Sequence, residues 1–205
     1  MSDSILVHSV PARRSYFEKH GELIQKLAQH GQSPHALFIG CSDSRIMPEQ
    51  ILGAEPGDFF MIRNVANIIP PYYQTEIGIV SALEFAIFYL NVSHVIVCGH
   101  TDCGGIKGLD TWIDMSQTPA LSRWLDLARP SQRDVDFAMR NLSPEERHRA
   151  IVERNVINQL NNLQSYPFVR ERLEADRLEL HGWVLHLETQ QISTYNPESS
   201  QFTIF

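Results

Sequence analysis

Two stretches of the chain share one form, and together they restrict the fold more than anything else in it. Ala36-Leu-Phe-Ile-Gly-Cys-Ser-Asp-Ser-Arg45 is an apolar run that passes through one glycine straight into Cys41, Asp43 and Arg45. Val95-Ile-Val-Cys-Gly-His100-Thr-Asp-Cys103-Gly-Gly repeats the pattern and delivers His100, Asp102 and Cys103. A short apolar run closed by glycine reads as a buried strand. Reactive side chains directly after it then sit at the strand's carboxyl end, the edge where open α/β sheets bind their ligands. If the two strands are parallel neighbours, Cys41, His100 and Cys103 converge. Two thiolates and an imidazole are the donor set of a catalytic zinc with one coordination position left open. The separation from Cys41 to His100 is far too long for a zinc finger, so the fold must gather these ligands. Each residue taken singly has a plainer use. A cysteine is most often a small buried hydrophobe, and Asp43 with Arg45 would ordinarily be a weak surface ion pair.

Taken together, Cys41-Ser-Asp-Ser-Arg45, Arg63-Asn-Val-Ala-Asn67 and His100-Thr-Asp-Cys103-Gly-Gly resemble the three signatures of the β-class carbonic anhydrases. The likeness runs over residues 16–183, and the stretches 67–72 and 104–109 are similar to the plant-like branch of that class. The resemblance implies one zinc ion per chain, held by Cys41, His100 and Cys103. It implies reversible hydration of carbon dioxide to bicarbonate and a proton, by attack of zinc-bound hydroxide in an apolar pocket. Asp43 and Arg45 would be the catalytic pair, the arginine keeping the carboxylate ionised so that it accepts a hydrogen bond from the hydroxide. Gln32 would donate to substrate from the neighbouring subunit. Phe60, Val65, Phe85 and Gly104 fall at the substrate pocket, Phe85 where plant-like members often carry a tyrosine. One branch of the class adds a regulatory bicarbonate pocket of Trp, Arg and Tyr. Here Arg63 matches, but Phe38 and Leu185 stand in the other two positions, so the expectation is no such pocket and an open, water-bound zinc. The resemblance also implies a homodimer that assembles further, with residues 1–30 as a helical arm on the partner.

Composition sets the frame. A chain of 205 residues is the natural size for one α/β domain with a proper core, spanning residues 1–205. The net charge of −7 speaks against a nucleic-acid footprint. No apolar run approaches the roughly 20 residues that span a bilayer, and the first residues carry no signal-peptide pattern. Three cysteines, two of them claimed by the metal, leave no disulfide framework, which fits a reducing cytoplasm or a microcompartment within it.

Along the chain, residues 10–29 read as a helix with Phe17, Leu23, Ile24 and Leu27 on one face, broken at Pro34. Residues 48–52 form a short helix started by proline, and 59–62 a strand. Residues 76–90 are apolar nearly all round and predict a buried helix. Residues 92–98 are the central strand, with Cys98 a structural thiol. Gly104-Gly105 lets the backbone pass close to the metal and opens a helix ending by Asp114. Another short helix covers 120–128, while 131–141 reads as a linker or weak helix. Ser143-Pro-Glu-Glu146 is a capping box that opens a long helix to about Leu163. A short helix follows from Tyr166, then a strand over 178–187, and 191–195 can pair with it. The apolar tail, 199–205, suits a contact between subunits. The expected architecture is a mostly parallel sheet of four parallel strands plus one antiparallel C-terminal edge strand, flanked by helices.

Alternatives remain at this level. The same zinc site would also suit hydrolysis of carbonyl sulfide or carbon disulfide, and an inactive bicarbonate-binding or interaction protein would keep the fold. Asp102 and the nine histidines are candidates for moving the proton, and residue type does not rank them.

Overall fold

The computed structural model describes residues 5–74, 76–111 and 116–205, with side chains from Ser9 onward. Its backbone is a six-stranded sheet in the order β2-β1-β3-β4-β5-β6. The chain enters through the helix α1 (Ile5–His30) and then forms β1 (Ala36–Cys41), the short helix α2 (Pro48–Ile51) and β2 (Phe59–Asn64). Next come α3 (Ile77–Glu84), β3 (His94–His100), α4 (Gly104–Lys107), α5 (Pro119–Asp126) and α6 (Arg129–Ala138). The long helix α7 (Pro144–Gln164), α8 (Pro167–Glu174), β4 (Glu179–His186), β5 (Gln191–Asn196) and β6 (Gln201–Ile204) complete it.

β1 pairs in parallel with β2 on one side and β3 on the other, and β3 pairs in parallel with β4. β1 is buried at every position, and β3 at all but its first. Such continuous apolar runs are what a parallel strand covered on both faces requires. β5 and β6 then return antiparallel. The single antiparallel edge strand expected from the sequence is therefore a pair. The C-terminal tail forms the second of them, with Phe202 against the Tyr195 ring and Phe205 against Trp183.

Helix α7 lies directly on β3 and β4. A Cβ at Gly99 would come within 2.8 Å of Val156 Cγ2, and one at Gly182 within 2.9 Å of Leu160 Cδ1, so the strands must be bare at these points for the helix to dock. The capping box at its start is present, with Ser143 and Glu146 bonded reciprocally. Cys98 is buried in the core, and burial pushes its thiol up to about 12, as suits a structural cysteine.

One expectation narrows and one changes. The open choice of linker or weak helix for 131–141 closes on the helix as far as Ala138: Pro130 occupies the first turn of α6, and Ser131 and Val135 are buried. Proline ends a helix only from its interior, whereas at the first turn its fixed φ is favourable. The segment 76–90 is not buried all round. Its last turn, Phe85–Tyr89, widens to a π-turn, with Leu90 N–H donating to the Phe85 carbonyl, and Ile77, Phe85, Phe88 and Tyr89 face outward. The expected helix end at Asp114 lies outside the described residues; within them α4 closes at Lys107.

Candidate metal centre

Because β1 and β3 are parallel neighbours, their carboxyl ends open on one edge, and the loops after them meet there. The ligand atoms of Cys41, His100 and Cys103 all lie within 4.8 Å of one another, and all three side chains are buried. The two sulfurs are 3.9 Å apart. The hydrogen bond between the two sulfurs pulls the Cys41 thiol down and, with burial adding to it, pushes the Cys103 thiol up.

The imidazole is oriented by its neighbour. His100 Nδ1 lies 2.8 Å from the Thr101 carbonyl, which can only accept, so Nδ1 carries the proton and Nε2 offers its lone pair. That Nε2 is buried and has no hydrogen-bond partner. A buried polar atom left unpaired costs about 1–3 kcal/mol, and a cation between it and the thiols would remove that cost. Two sulfurs and one such nitrogen fit zinc. The Thr101 side chain is itself anchored, donating to Glu188 at 2.6 Å and accepting from Leu187 N–H at 2.9 Å.

Asp43 borders this group, its Oδ2 3.8 Å from His100 Nε2. Arg45 grips it with Nε on Oδ1 at 2.9 Å and Nη2 on Oδ2 at 2.8 Å, and the Arg45 backbone N–H adds a third bond. The guanidinium holds the Asp43 carboxyl well below the usual range and is itself pushed up by Asp43. The other side of Arg45 meets Asp102, which also pairs with Lys107.

The remaining expected residues divide. Phe60 and Phe85 pack with ring centroids 5.7 Å apart, and Val65 follows β2 on the active edge. Gly105, not Gly104, is the glycine that packing requires. A Cβ on Gly105 would sit 2.8 Å from Val65 Cγ1 and 3.0 Å from the Ala66 Cβ, whereas one on Gly104 would meet nothing within 4 Å. The close approach is thus to Val65 and Ala66. Gln32 precedes β1, at the sheet edge opposite Cys41, so its own chain does not bring it to the thiols. Phe38 and Leu185 are buried core residues.

Sequence reasoning missed two supports. Arg63 donates to the Cys41 carbonyl at 2.9 and 3.0 Å and to the Asp43 carbonyl at 2.8 Å, clamping the loop that carries both side chains. Ala66 and Asn67 both have positive φ, 63° and 46°, which costs non-glycine residues energy. The turn is held by Asn64, which bonds both ways to Ile68, and by Asn155 on the Ala66 carbonyl. Below it, Gln159 accepts from Ile69 N–H and Asn162 donates to the Ile69 carbonyl. Three amide residues spaced along the otherwise apolar inner face of α7 are the signal that could have found this column.

Residues 36–192, from β1 into β5, match the profile of the carbonic anhydrase family. A carbonic anhydrase of Pseudomonas aeruginosa is 39% identical over 190 residues, covering 93% of this chain and 86% of that protein. Among solved structures, the β-carbonic anhydrase CcaA superposes with a TM-score of 0.91 at 37% identity over 98% of both chains. A tetrameric β-carbonic anhydrase of Sordaria macrospora does so at 0.81 and 32% identity, covering 92% of this chain and 94% of that one. Motifs, topology and the Cys-His-Cys group agree with these matches: the chain belongs to the β-class carbonic anhydrase family.

Proposed function

We propose that this chain catalyses the reversible hydration of carbon dioxide to bicarbonate and a proton, with one zinc ion held by Cys41, His100 and Cys103. The observation that carries the reading is the unpaired, buried Nε2 of His100 aimed at two thiols. Bound there, zinc supplies a Lewis acid that ionises water near neutral pH. Asp43, kept ionised by Arg45, is an acceptor only. Its Oδ2 takes a hydrogen bond from the attacking water and turns the oxygen lone pair toward the substrate. Phe60, Val65 and Phe85 form the wall for carbon dioxide, which has no charge to grip. Gly104 leaves the first turn of α4 open beside them, with no side chain in the way.

Three hydrogen bonds tie Asp43 to Arg45, which supports a carboxylate held away from the metal and hence a water-bound zinc. With Phe38 and Leu185 packed in the core, no regulatory bicarbonate pocket is expected from this chain. A homodimer is supported by the position of Gln32, which only a second chain can bring to the thiols. Exposed Tyr16 and Phe17 on α1 and Phe88 and Tyr89 after α3 support it too. The Sordaria macrospora relative is described as tetrameric, and further assembly of dimers suits this chain. Residues 1–30 are then the arm on the partner. No helix among the described residues is long and apolar enough to cross a membrane, and cytoplasmic residence, free or in a microcompartment, is the proposed location.

Stopped-flow carbon dioxide hydration on zinc-counted protein tests the reading. Fast turnover at about one zinc per chain is expected. Zinc-loaded protein that leaves carbon dioxide untouched, or turns over only carbonyl sulfide or carbon disulfide, overturns it. A crystal structure of the loaded protein near pH 7 tests the open site, which fails if the Asp43 carboxylate is the fourth ligand.

A further inference from the structure

The opposite edge of the sheet carries a second meeting of ligand-type side chains. β3 begins with His94 and β4 with Glu179, and the parallel register places these two side by side. His181 lies two residues further along β4, so strand alternation returns it to the face of Glu179. One ligand atom from each of the three falls within 4.8 Å of the others.

The spacing suits a tetrahedral ion. His94 Nδ1 and His181 Nε2 share a hydrogen bond at 3.0 Å, whose proton an ion would displace. Glu179 Oε2 lies 3.6 Å from the first and 3.9 Å from the second. Zinc bonds of about 2.0–2.1 Å at tetrahedral angles set ligand atoms about 3.3 Å apart. Shifts of a few tenths of an ångström would therefore close the cage. Glu179 is exposed and both histidines are only partly buried, which gives an ion a way in and a water its fourth position.

We propose that His94, Glu179 and His181 form a second zinc site. Nitrogen and oxygen donors without a thiolate suit zinc and its borderline neighbours and set this site apart from the Cys41 group. β3 runs the whole way between them, about 20 Å at the rise of a strand. An ion here takes no part in hydration; it staples β3 to β4 where both strands begin.

Calorimetric titration of zinc chloride into protein already holding one counted zinc per chain tests this. A second equivalent is expected in the native protein, and its loss in His94→Gln and His181→Gln. In Glu179→Gln, affinity should fall by about tenfold or more. All three variants should keep the first zinc and the hydration rate. Cobalt(II) added to the same zinc-holding protein needs no variant. It should give the weak visible bands of a nitrogen–oxygen site, without the sulfur charge-transfer absorption a thiolate site produces. Native protein that takes up no second ion overturns the proposal. So does a second equivalent that survives both histidine substitutions, or a cobalt spectrum with thiolate bands.

Discussion

The side chains around the thiols are held by groups that do no chemistry, and Arg63 is the clearest case. Its guanidinium occupies the carbonyls of Cys41 and Asp43 at once, so it sets the geometry of a loop that bears a proposed ligand and the proposed catalytic carboxylate. In Arg63→Met the thiols and imidazole remain, and zinc content should stay near one per chain. The hydration rate should fall about tenfold or more, in the range of lost supporting contacts around metal sites. Zinc counting alongside stopped-flow kinetics separates this from simple metal loss, and an unchanged rate would refute it. The sequence marked Cys41, Asp43, Arg45, His100 and Cys103 because strand ends with reactive residues are visible in a linear pattern. It could not mark the role of Arg63, because the partners are backbone carbonyls, which every residue possesses.

At the level of elements, α7 serves as a platform with two distinct jobs. Its apolar residues dock on bare strand at Gly99 and Gly182, while Asn155, Gln159 and Asn162 supply the polar partners of residues 66–69. Replacing Gln159 with leucine strands the buried Ile69 N–H and should lower stability by about 2 kcal/mol, measurable by denaturant unfolding. A cost near zero would mean that water takes over the bond. The N-terminus of α7 makes a pH prediction. The Ser143 hydroxyl, and after it the Ser143 backbone N–H, hold the Glu146 carboxyl below its ordinary value of 4.5. A folded value below the unfolded one stabilises fully above that unfolded value and is lost as pH falls through the folded one. The melting-temperature deficit of Ser143→Ala should therefore be whole at neutral pH and shrink in acid below about pH 4.5. A deficit that stays constant or grows in acid would contradict this. The four parallel strands and the capping box were legible from pattern because hydrophobic runs and cap residues are local signals. Helix α6 was legible only as one of two readings, since its buried face includes the polar Ser131 and its proline resembles a break. Strand β6, only four residues long, carries too little pattern to separate it from a loose tail.

At the level of the whole molecule, one chain leaves Tyr16, Phe17, Phe88 and Tyr89 exposed. Gln32 lies at the far end of β1 from Cys41, roughly 17 Å of strand away. If it serves the neighbouring subunit's site, catalysis requires two chains. Gln32→Ala and Cys41→Ser should each be impaired as pure proteins, the second with little zinc. Mixing and reassociating them should recover activity, because the mixed dimer holds one site with both residues intact. No recovery, with mixed dimers verified by mass spectrometry, would place Gln32 outside the reaction. Sedimentation should give no monomer at working concentrations, and Phe17→Glu should shift it toward one. The single-domain α/β class was readable from length and strand pattern. The proposed mate was readable only through resemblance, since no spacing within one chain encodes the surface of another.

The bonds from α7 to residues 66–69 also have an order in time. They join positions 89 to 93 apart in the chain, and a ribosome adds about 5–20 residues each second. For roughly 5–20 seconds, then, the residues of the turn beside the thiols have been synthesised while the helix that will pin them is still untranslated. Cys41 leaves the tunnel first, His100 and Cys103 later, and the scaffold that holds their loops in register last of all. The nascent chain therefore passes through a stage with all its ligands present and no fixed cage. Oxidants and stray soft metals meet the thiols most easily during that stage, so vectorial synthesis, more than the finished fold, sets when this centre is most vulnerable.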